Sequence, residues 1–244
     1  MLLPARSYWE ESRSHRYSLT FALPLLLLYE ALEALAPVRV GGGVVRNGAD
    51  VVLTSLFTAL FGPRGPMVFM ALVIGGALVL IWRDRGSGPV RVSYFVLMLA
   101  ESAVLALLLG VVVGVATVQV LGPLRALAAA APLLGGTALQ RLTLSLGAGL
   151  YEELLFRVVL VALISNGVRL LGFSRLAAGI VAVLGGALLF SAFHYAGALG
   201  EPFRLDSFVF RTLAGLAFSA LYLTRGFGIT AWTHALYDIL VLVF

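Results

Sequence analysis

Seven stretches of this sequence are apolar over the length that is needed to cross a lipid bilayer. A helix must supply about 20 apolar residues to span a hydrocarbon core about 30 Å thick. The stretches are residues 17–36, 66–82, 90–121, 137–164, 175–198, 207–224 and 228–244. Only 12% of the residues are charged, whereas a soluble domain carries about 25%. The sequence therefore predicts an all-α, polytopic transmembrane helical bundle.

One further apolar segment, residues 47–62, is too short to count with the seven. It predicts a re-entrant or interfacial helix, and an eighth crossing is the alternative. Glycine and proline mark the breaks between the spans, and no internal repeat interrupts the pattern. We therefore expect one transmembrane domain over residues 1–244, with N-terminal spans in 1–136 and the titratable motifs in 137–244.

The charged residues exclude some functions and predict an orientation. The chain has no cysteine, so disulfides, thiolate metal sites and a cysteine nucleophile are excluded. The net charge of +5 forms no basic stripe, which argues against nucleic-acid binding. Every basic residue is arginine, and a chain rich in arginine and alanine is typical of a bacterium of high genomic GC. We therefore expect the bacterial inner membrane as its location.

Arginine placement favours a cytoplasmic N-terminus, because inner loops carry the excess of positive charge. With the N-terminus inside, the inner loops hold nine arginines and the outer loops five. The inner ones are Arg6, Arg13, Arg16, Arg83, Arg85, Arg91, Arg169, Arg175 and Arg225, and the outer ones are Arg39, Arg46, Arg64, Arg125 and Arg204.

The segment GLYEELLFRVVL, residues 149–160, places charges inside an apolar span. An ionisable group at bilayer depth costs from about 3 to over 10 kcal/mol, so it normally faces a cavity or a partner. Glu153 and Arg157 are four residues apart and share a helix face, which predicts a supporting ion pair. Glu152 is turned about 100° away and is left to act as a base. The alternative is that both glutamates only bind Arg157 or the backbone of a neighbouring helix.

Two further motifs place histidines in apolar spans. His234 and Asp238 lie four residues apart on one face, where the histidine can bind a metal, donate to an oxyanion or join two helices. His194 follows Phe190 by one helical turn, and a packing role is the alternative for it. Together, Glu152, His194, His234 and Asp238 can hold and activate a water molecule, the minimum set for hydrolysis.

Counting residues along the spans places His194 and His234 at different depths. His194 lies near the end of its span and His234 near the start of a span that runs in the same direction. The two can meet only under one of three conditions. The first condition is that the helix 175–198 starts well outside the bilayer. The second is that this helix is kinked near Gly185–Gly186, and the third is that the number of spans is not seven.

Together these motifs resemble the signature of the CAAX prenyl protease and bacteriocin-processing family of intramembrane endopeptidases, also called the Abi family. That signature is Glu-Glu-x-x-x-Arg, then Phe-x-x-x-His, then His-x-x-x-Asn or Asp, each on a transmembrane helix. The corresponding segments are Glu152-Glu153-Leu-Leu-Phe-Arg157, Phe190-Ser-Ala-Phe-His194 and His234-Ala-Leu-Tyr-Asp238. The resemblance covers about residues 137–244.

The resemblance implies an intramembrane endopeptidase that hydrolyses a peptide bond of a membrane-associated protein or peptide. Glu152 would be the general base that activates water, and His194 would help to position that water. His234 and Asp238 would form an oxyanion site, or would bind a divalent metal such as zinc together with His194. We favour the metal-free mechanism slightly, although Asp238 suits a cation better than an oxyanion. We expect the cavity to open to the cytoplasmic side.

Two other functions remain as alternatives. Buried Glu, His and Asp side chains also form proton relays, and Glu30, Glu33 and Glu101 would extend one in a proton-coupled transporter or channel. Such a transporter usually shows structural repeats, which are not evident here. The other alternative is a catalytically silent scaffold of the same fold. Glu30 and Glu33 have a plainer interpretation as groups that reach the lipid headgroups, and Glu101 has Arg141 or Arg211 as a candidate partner.

Overall fold

The computed structural model describes residues 7–40, 43–85, 89–123, 137–197 and 200–243 of the chain. Nearly all of these residues are helical, which confirms the predicted helical bundle. The helices before residue 123 are α1 (Tyr8–Ser12), α2 (His15–Leu35), α3 (Gly48–Phe61), α4 (Gly65–Arg83) and α5 (Val92–Leu121). Between α2 and α3, the two-residue strands β1 (Arg39–Val40) and β2 (Gly43–Val44) pair antiparallel.

The sixth helix, α6, is continuous but changes its geometry along its length. It is α-helical over Ala138–Gly147, π-helical over Ala148–Glu152 and Leu154–Leu160, and α-helical again over Val161–Leu170. Stretches of π-helix are rare and often coincide with functional sites. The remaining helices are α7 (Arg175–Phe193), α8 (Leu205–Arg225) and α9 (Phe227–Leu242).

Each of the seven predicted spans coincides with one of these helices. Five described helical stretches are both long and apolar enough to cross a membrane, namely His15–Leu35, Gly48–Arg83, Val92–Leu121, Arg175–Phe193 and Leu205–Arg225. The fourth predicted span lies within α6, and the last corresponds to α9, which is apolar but shorter. The chain is an integral membrane protein.

The stretch Gly48–Arg83 is not one straight helix. It consists of α3 and α4, which a 3₁₀ turn at Gly62–Arg64 connects and which pack against each other. With 14 residues, α3 is about 21 Å long at 1.5 Å per residue, less than the roughly 30 Å of a hydrocarbon core. The short helix that the sequence predicts for residues 47–62 is therefore present as α3. Its re-entrant or interfacial position stays a prediction.

Helix α9 lies at the centre of the bundle, where it packs against α2, α5, α6 and α8. Its approach to α6 is close because Gly149 has no side chain. A Cβ atom there would lie 2.4 Å from the carbonyl oxygen of Ala231 and 2.7 Å from the Cβ of Ala235. The close contact places the π-helical part of α6 directly beside the turn of α9 that carries His234.

The partner of Glu101 is Arg225, so both candidate partners from the sequence, Arg141 and Arg211, are wrong. Arg225 donates from Nε to Oε1 of Glu101 over 2.5 Å and from Nη2 to Oε2 over 2.7 Å. The hydroxyl of Tyr8 donates to the same carboxylate. Burial, and then the hydrogen bond to Glu101, raise the pKa of Tyr8, which keeps it protonated as a donor. Glu101 thus joins α1, α5 and α8 through an ion pair with Arg225 and a hydrogen bond from Tyr8.

Glu30 has partners within the protein, and Glu33 is buried. Arg46 donates from Nη2 to both carboxylate oxygens of Glu30, at 2.8 and 2.9 Å. Tyr151 of α6 donates its hydroxyl to the same carboxylate over 2.7 Å. Glu33 is buried, with 6% of its surface exposed. These contacts connect the C-terminal end of α2 to α6, and the position of Glu30 and Glu33 relative to the lipid headgroups stays a prediction.

Candidate active site

Glu153 is fully buried and contacts two charged groups at once. Its Oε2 lies 3.2 Å from Nε of Arg157, the ion pair that the spacing predicts. Its Oε1 lies 2.7 Å from Nδ1 of His234. Since a carboxylate can only accept, Nδ1 carries a proton and donates it. Glu153 therefore orients the imidazole of His234 in addition to neutralising Arg157.

Two phenyl rings enclose the Arg157 guanidinium. Its central carbon lies 4.5 Å from the ring centre of Phe190 and 5.5 Å from that of Phe218. Phe218 also stacks on His234, with ring centres 4.3 Å apart. Contacts between a cation and an aromatic face are favourable, more so away from water. These rings limit the movement of both the ion pair and the histidine.

Glu152 has a different environment from its neighbour Glu153. Nδ2 of Asn47, at the start of α3, donates to Oε1 of Glu152 over 3.0 Å. The other oxygen, Oε2, lies 4.0 Å from Nε2 of His234. The carboxylate also interacts electrostatically with His194. Glu152 thus accepts from a neutral amide, whereas Glu153 forms an ion pair.

Asp238 lies one turn after His234 on α9, as its spacing predicts. Its Oδ2 is 3.7 Å from Nε2 of His234. This distance, like the 4.0 Å to Glu152, is too long for a direct hydrogen bond. Nε2 of His234 therefore faces two carboxylates without bonding directly to either.

His194 follows the last residue of α7. Its Nδ1 lies 2.9 Å from the carbonyl oxygen of Phe190, so Nδ1 donates and Nε2 is left to accept or donate elsewhere. The ring of Phe190 meets that of His194 edge to face at 5.1 Å and that of His234 at 6.1 Å. The two histidines therefore flank one phenyl ring and belong to one cluster.

Both histidines contact the ring of Phe190, so they lie on either side of one side chain in the bundle. Helix α7 runs without interruption through Gly185–Gly186 and ends at Phe193, so the predicted helical end at 198 is wrong. The chain turns at His194, and Gly197 adopts a positive φ of 83° that favours glycine. His194 thus lies at the end of α7, and its contact with Phe190 brings it to the cluster.

The described residues do not form a donor set that fits a metal. In the ranges that the structure covers, no group of three or more His, Cys, Asp or Glu side chains is placed to hold an ion. The set His194, His234 and Asp238, which the resemblance gives as the ligands if a metal is bound, is not such a group in the described residues. We therefore derive no chemical step through a metal.

Two features of the site escaped the sequence analysis. Asn47 carries the standard signal of a helix N-cap, a short polar residue before an apolar helix, but nothing in the sequence connects it with Glu152. The contact between Glu153 and His234 joins residues 81 positions apart and has no local signal. The catalytic roles of Glu152, His194, His234 and Asp238 stay predictions.

Most of the buried polar cluster lies in a part of the chain that matches a family model. Residues 134–240 match the model of a protein family described as type II CAAX prenyl endopeptidase Rce1-like. The C-terminal part of the chain is thus similar to this family of CAAX prenyl endopeptidases. No curated protein and no solved structure matches the chain.

Proposed function

We propose that this protein hydrolyses a peptide bond in a membrane-associated protein or peptide, with Glu152 as the general base. The observation that carries the proposal is the buried cluster in which Glu152 and Asp238 both face Nε2 of His234, at 4.0 and 3.7 Å. A base and a proton donor must lie close to one water and one carbonyl group for such a reaction.

The two glutamates differ in a way that favours Glu152 as the base. Glu153 contacts Arg157 with one oxygen and His234 with the other, so neither oxygen is available to a water molecule. Glu152 accepts only one hydrogen bond in the described structure, from the neutral amide of Asn47. Its second oxygen is therefore available to take a proton from water.

The proposed reaction has two steps. Glu152 removes a proton from water, and the hydroxide forms a bond to the carbonyl carbon while the carbonyl electrons move to the oxygen. The tetrahedral intermediate then collapses, the C–N bond breaks, and Glu152 returns the proton to the leaving nitrogen. General acid–base catalysis of this kind contributes about 10²–10⁴-fold to a rate.

The histidines have separate parts in this reaction. His194 donates through Nδ1 to its own helix, so its Nε2 accepts a hydrogen bond from the attacking water. His234, with Nδ1 bound to Glu153, donates from Nε2 to the developing oxyanion when both ring nitrogens are protonated. Asp238 stabilises that protonated imidazole by its negative charge.

The test is a comparison of Glu152→Gln with the wild type in lipid nanodiscs. Two fluorogenic peptides serve as probes, one with a farnesylated CAAX tail and one with the same tail without the lipid. We expect cleavage of at least one peptide, and a loss of about 10²–10⁴ in kcat for Glu152→Gln. The matched control is Glu10→Gln, which keeps the capping box at Ser7 because glutamine also forms it.

Activity of Glu152→Gln within a few-fold of the wild type would overturn the assignment of the base. A parallel assay with a chelator and with added zinc tests the metal alternative. Loss of activity after chelation, restored by zinc, would contradict the metal-free mechanism. We further propose that the protein lies in a bacterial inner membrane with its N-terminus in the cytoplasm.

A further inference from the structure

The residue that donates a hydrogen bond to Glu152 lies outside the matched family domain in the sequence. Asn47 precedes α3, whereas the domain covers residues 134–240. The Asn47 amide and the Glu152 carboxylate are both buried, with 6% and 7% of the residue surface exposed, and the bond between them measures 3.0 Å. A buried hydrogen bond to a charged group contributes more than one between neutral groups. The contact therefore connects the N-terminal half of the chain directly to the proposed base.

The direction of the Asn47 amide is fixed by its other contacts. Its Oδ1 accepts from the backbone N–H of Ala49 over 2.9 Å and caps α3. Because the oxygen is engaged there, the NH₂ group must face Glu152. The backbone N–H of Asn47 donates to the hydroxyl of Tyr29 over 3.1 Å. The side chain is thus held at both ends.

A cluster of polar side chains fixes Asn47 in turn. The Tyr29 hydroxyl donates to Oδ2 of Asp50 over 2.9 Å, and Arg46 donates to the same oxygen. Arg46 also binds Glu30, which accepts from Tyr151. Since Tyr151 immediately precedes Glu152, these contacts form a closed ring that begins and ends at the proposed base.

The ring has a consequence for catalysis. A glutamate side chain has several freely rotating bonds, and only some of its conformations point an oxygen at a given water. Asn47 holds Oε1 and leaves Oε2 directed toward His234. Alignment of reacting groups in advance lowers a barrier, and a displacement of about 1 Å costs about 10²-fold in rate.

We propose that Asn47 is a positioning residue for Glu152, held in place by Tyr29 and Asp50. This inference rests on the proposed role of Glu152 as the base. It makes the N-terminal helices a part of the active site rather than only a membrane anchor. It also means that the matched domain alone lacks a group that its base requires.

Asn47→Ser separates the two tasks of the residue. Serine is as good an N-cap as asparagine, but it has no amide to reach Glu152. We expect kcat to fall about 10–100-fold, the effect of one lost hydrogen bond to a charged group, while KM stays near the wild-type value. The melting temperature should fall by only about 2–10 °C, because the cap is kept and one buried hydrogen bond is lost. Tyr29→Phe, which keeps the ring and removes only the hydroxyl, should lower kcat by a smaller factor.

Ser174→Ala is the matched control. It removes the side-chain cap of α7 at Ala177 and touches no residue of the candidate site. We expect it to lower the melting temperature and leave kcat unchanged. Asn47→Asp is a second variant that keeps both the cap and the size but places a carboxylate beside Glu152, so its kcat should fall at least as far as that of Asn47→Ser.

Asn47 acts through Glu152, so the two substitutions should not be additive. On the Glu152→Gln background, Asn47→Ser should change the residual rate by less than 2-fold. A full additional loss would overturn the proposal, as would a wild-type kcat in Asn47→Ser or a rise in KM alone. Failure of the proposed function shows instead in Glu152→Gln, which would then remain active.

Discussion

Glu152 and Glu153 are chemically identical neighbours, and their partners give them different properties. Helix geometry turns the two side chains about 100° apart. One carboxylate therefore enters a cluster with Arg157 and His234, and the other meets the Asn47 amide. At the scale of single residues, the assignment of base and support depends on which neighbouring helix each side chain meets.

The first prediction concerns the ion pair of Glu153 and Arg157. Removal of one partner leaves a buried charge without compensation, which costs about 3–5 kcal/mol, whereas replacement of both by apolar groups of similar size is often neutral or favourable. We therefore expect Glu153→Met and Arg157→Met each to lower the free energy of unfolding in detergent micelles by about 3–5 kcal/mol.

The double variant should be more stable than either single variant. A double-mutant cycle of the four proteins gives this coupling directly. Strictly additive losses would contradict a mutual pairing. Cleavage should be lost in every variant without Glu153, because His234 then loses the acceptor of its Nδ1 proton.

Helices α6 and α9 approach each other most closely at a glycine of α6, Gly149, which has no side chain. Small residues let two helices approach closely, and Gly147 and Gly149 show this in the structure. A Cβ atom at Gly147 would lie 2.5 Å from the ring of Tyr29, and one at Gly149 would lie 2.4 Å from the Ala231 oxygen. Gly114 differs from them, because a Cβ there would have no described atom within 4 Å.

These two glycines provide a matched pair of substitutions. Gly149→Ala should lower the free energy of unfolding by about 1–3 kcal/mol, because a methyl group is forced into a packed interface. It should also reduce cleavage, since α6 must move away from His234. Gly114→Ala, in an open part of α5, should raise stability by up to about 1 kcal/mol, because glycine is a poor helix former. Thermal unfolding and cleavage rates of both variants check this, and equal effects would contradict it.

Contacts within one helix could be predicted from the sequence, and contacts between helices could not. The pair Glu153–Arg157 follows from a spacing of four on one helix, and the spans follow from their apolar length. The bond from Glu153 to His234 depends on how closely α9 approaches α6. The bond from Asn47 to Glu152 depends on where the short helix α3 begins. Local periodicity carries no information about either distance.

The same limit applied to Glu101. It was a candidate member of a proton relay because it is an acidic residue in an apolar span. Its actual partner, Arg225, lies 124 positions away along the chain, and no helix period indicates such a contact. Arg225 also donates to Ser12 over 2.8 Å and lies over the ring of Trp9. The N-terminal helix is thus tied to the bundle by one buried cation.

At the scale of the whole molecule, orientation and the number of crossings are linked through α3. Since α3 is about 21 Å long, we expect α3 and α4 to make one crossing together. Three crossings then separate the strand pair, at Val44, from the turn between α6 and α7, at Leu171. An odd number places these two sites on opposite sides of the membrane, with Leu171 on the side of the N-terminus. If α3 crossed independently, four crossings would place both sites on the same side.

The absence of native cysteine makes this arrangement measurable with single substitutions. Val44 and Leu171 are exposed, at 54% and 77%. With the proposed cytoplasmic N-terminus, a membrane-impermeant maleimide should label Val44→Cys in right-side-out vesicles and Leu171→Cys only in inverted ones. Both variants should react in detergent, which controls for intrinsic reactivity. The reverse pattern would place the N-terminus outside, and labelling of both from one side would show that α3 is a separate span.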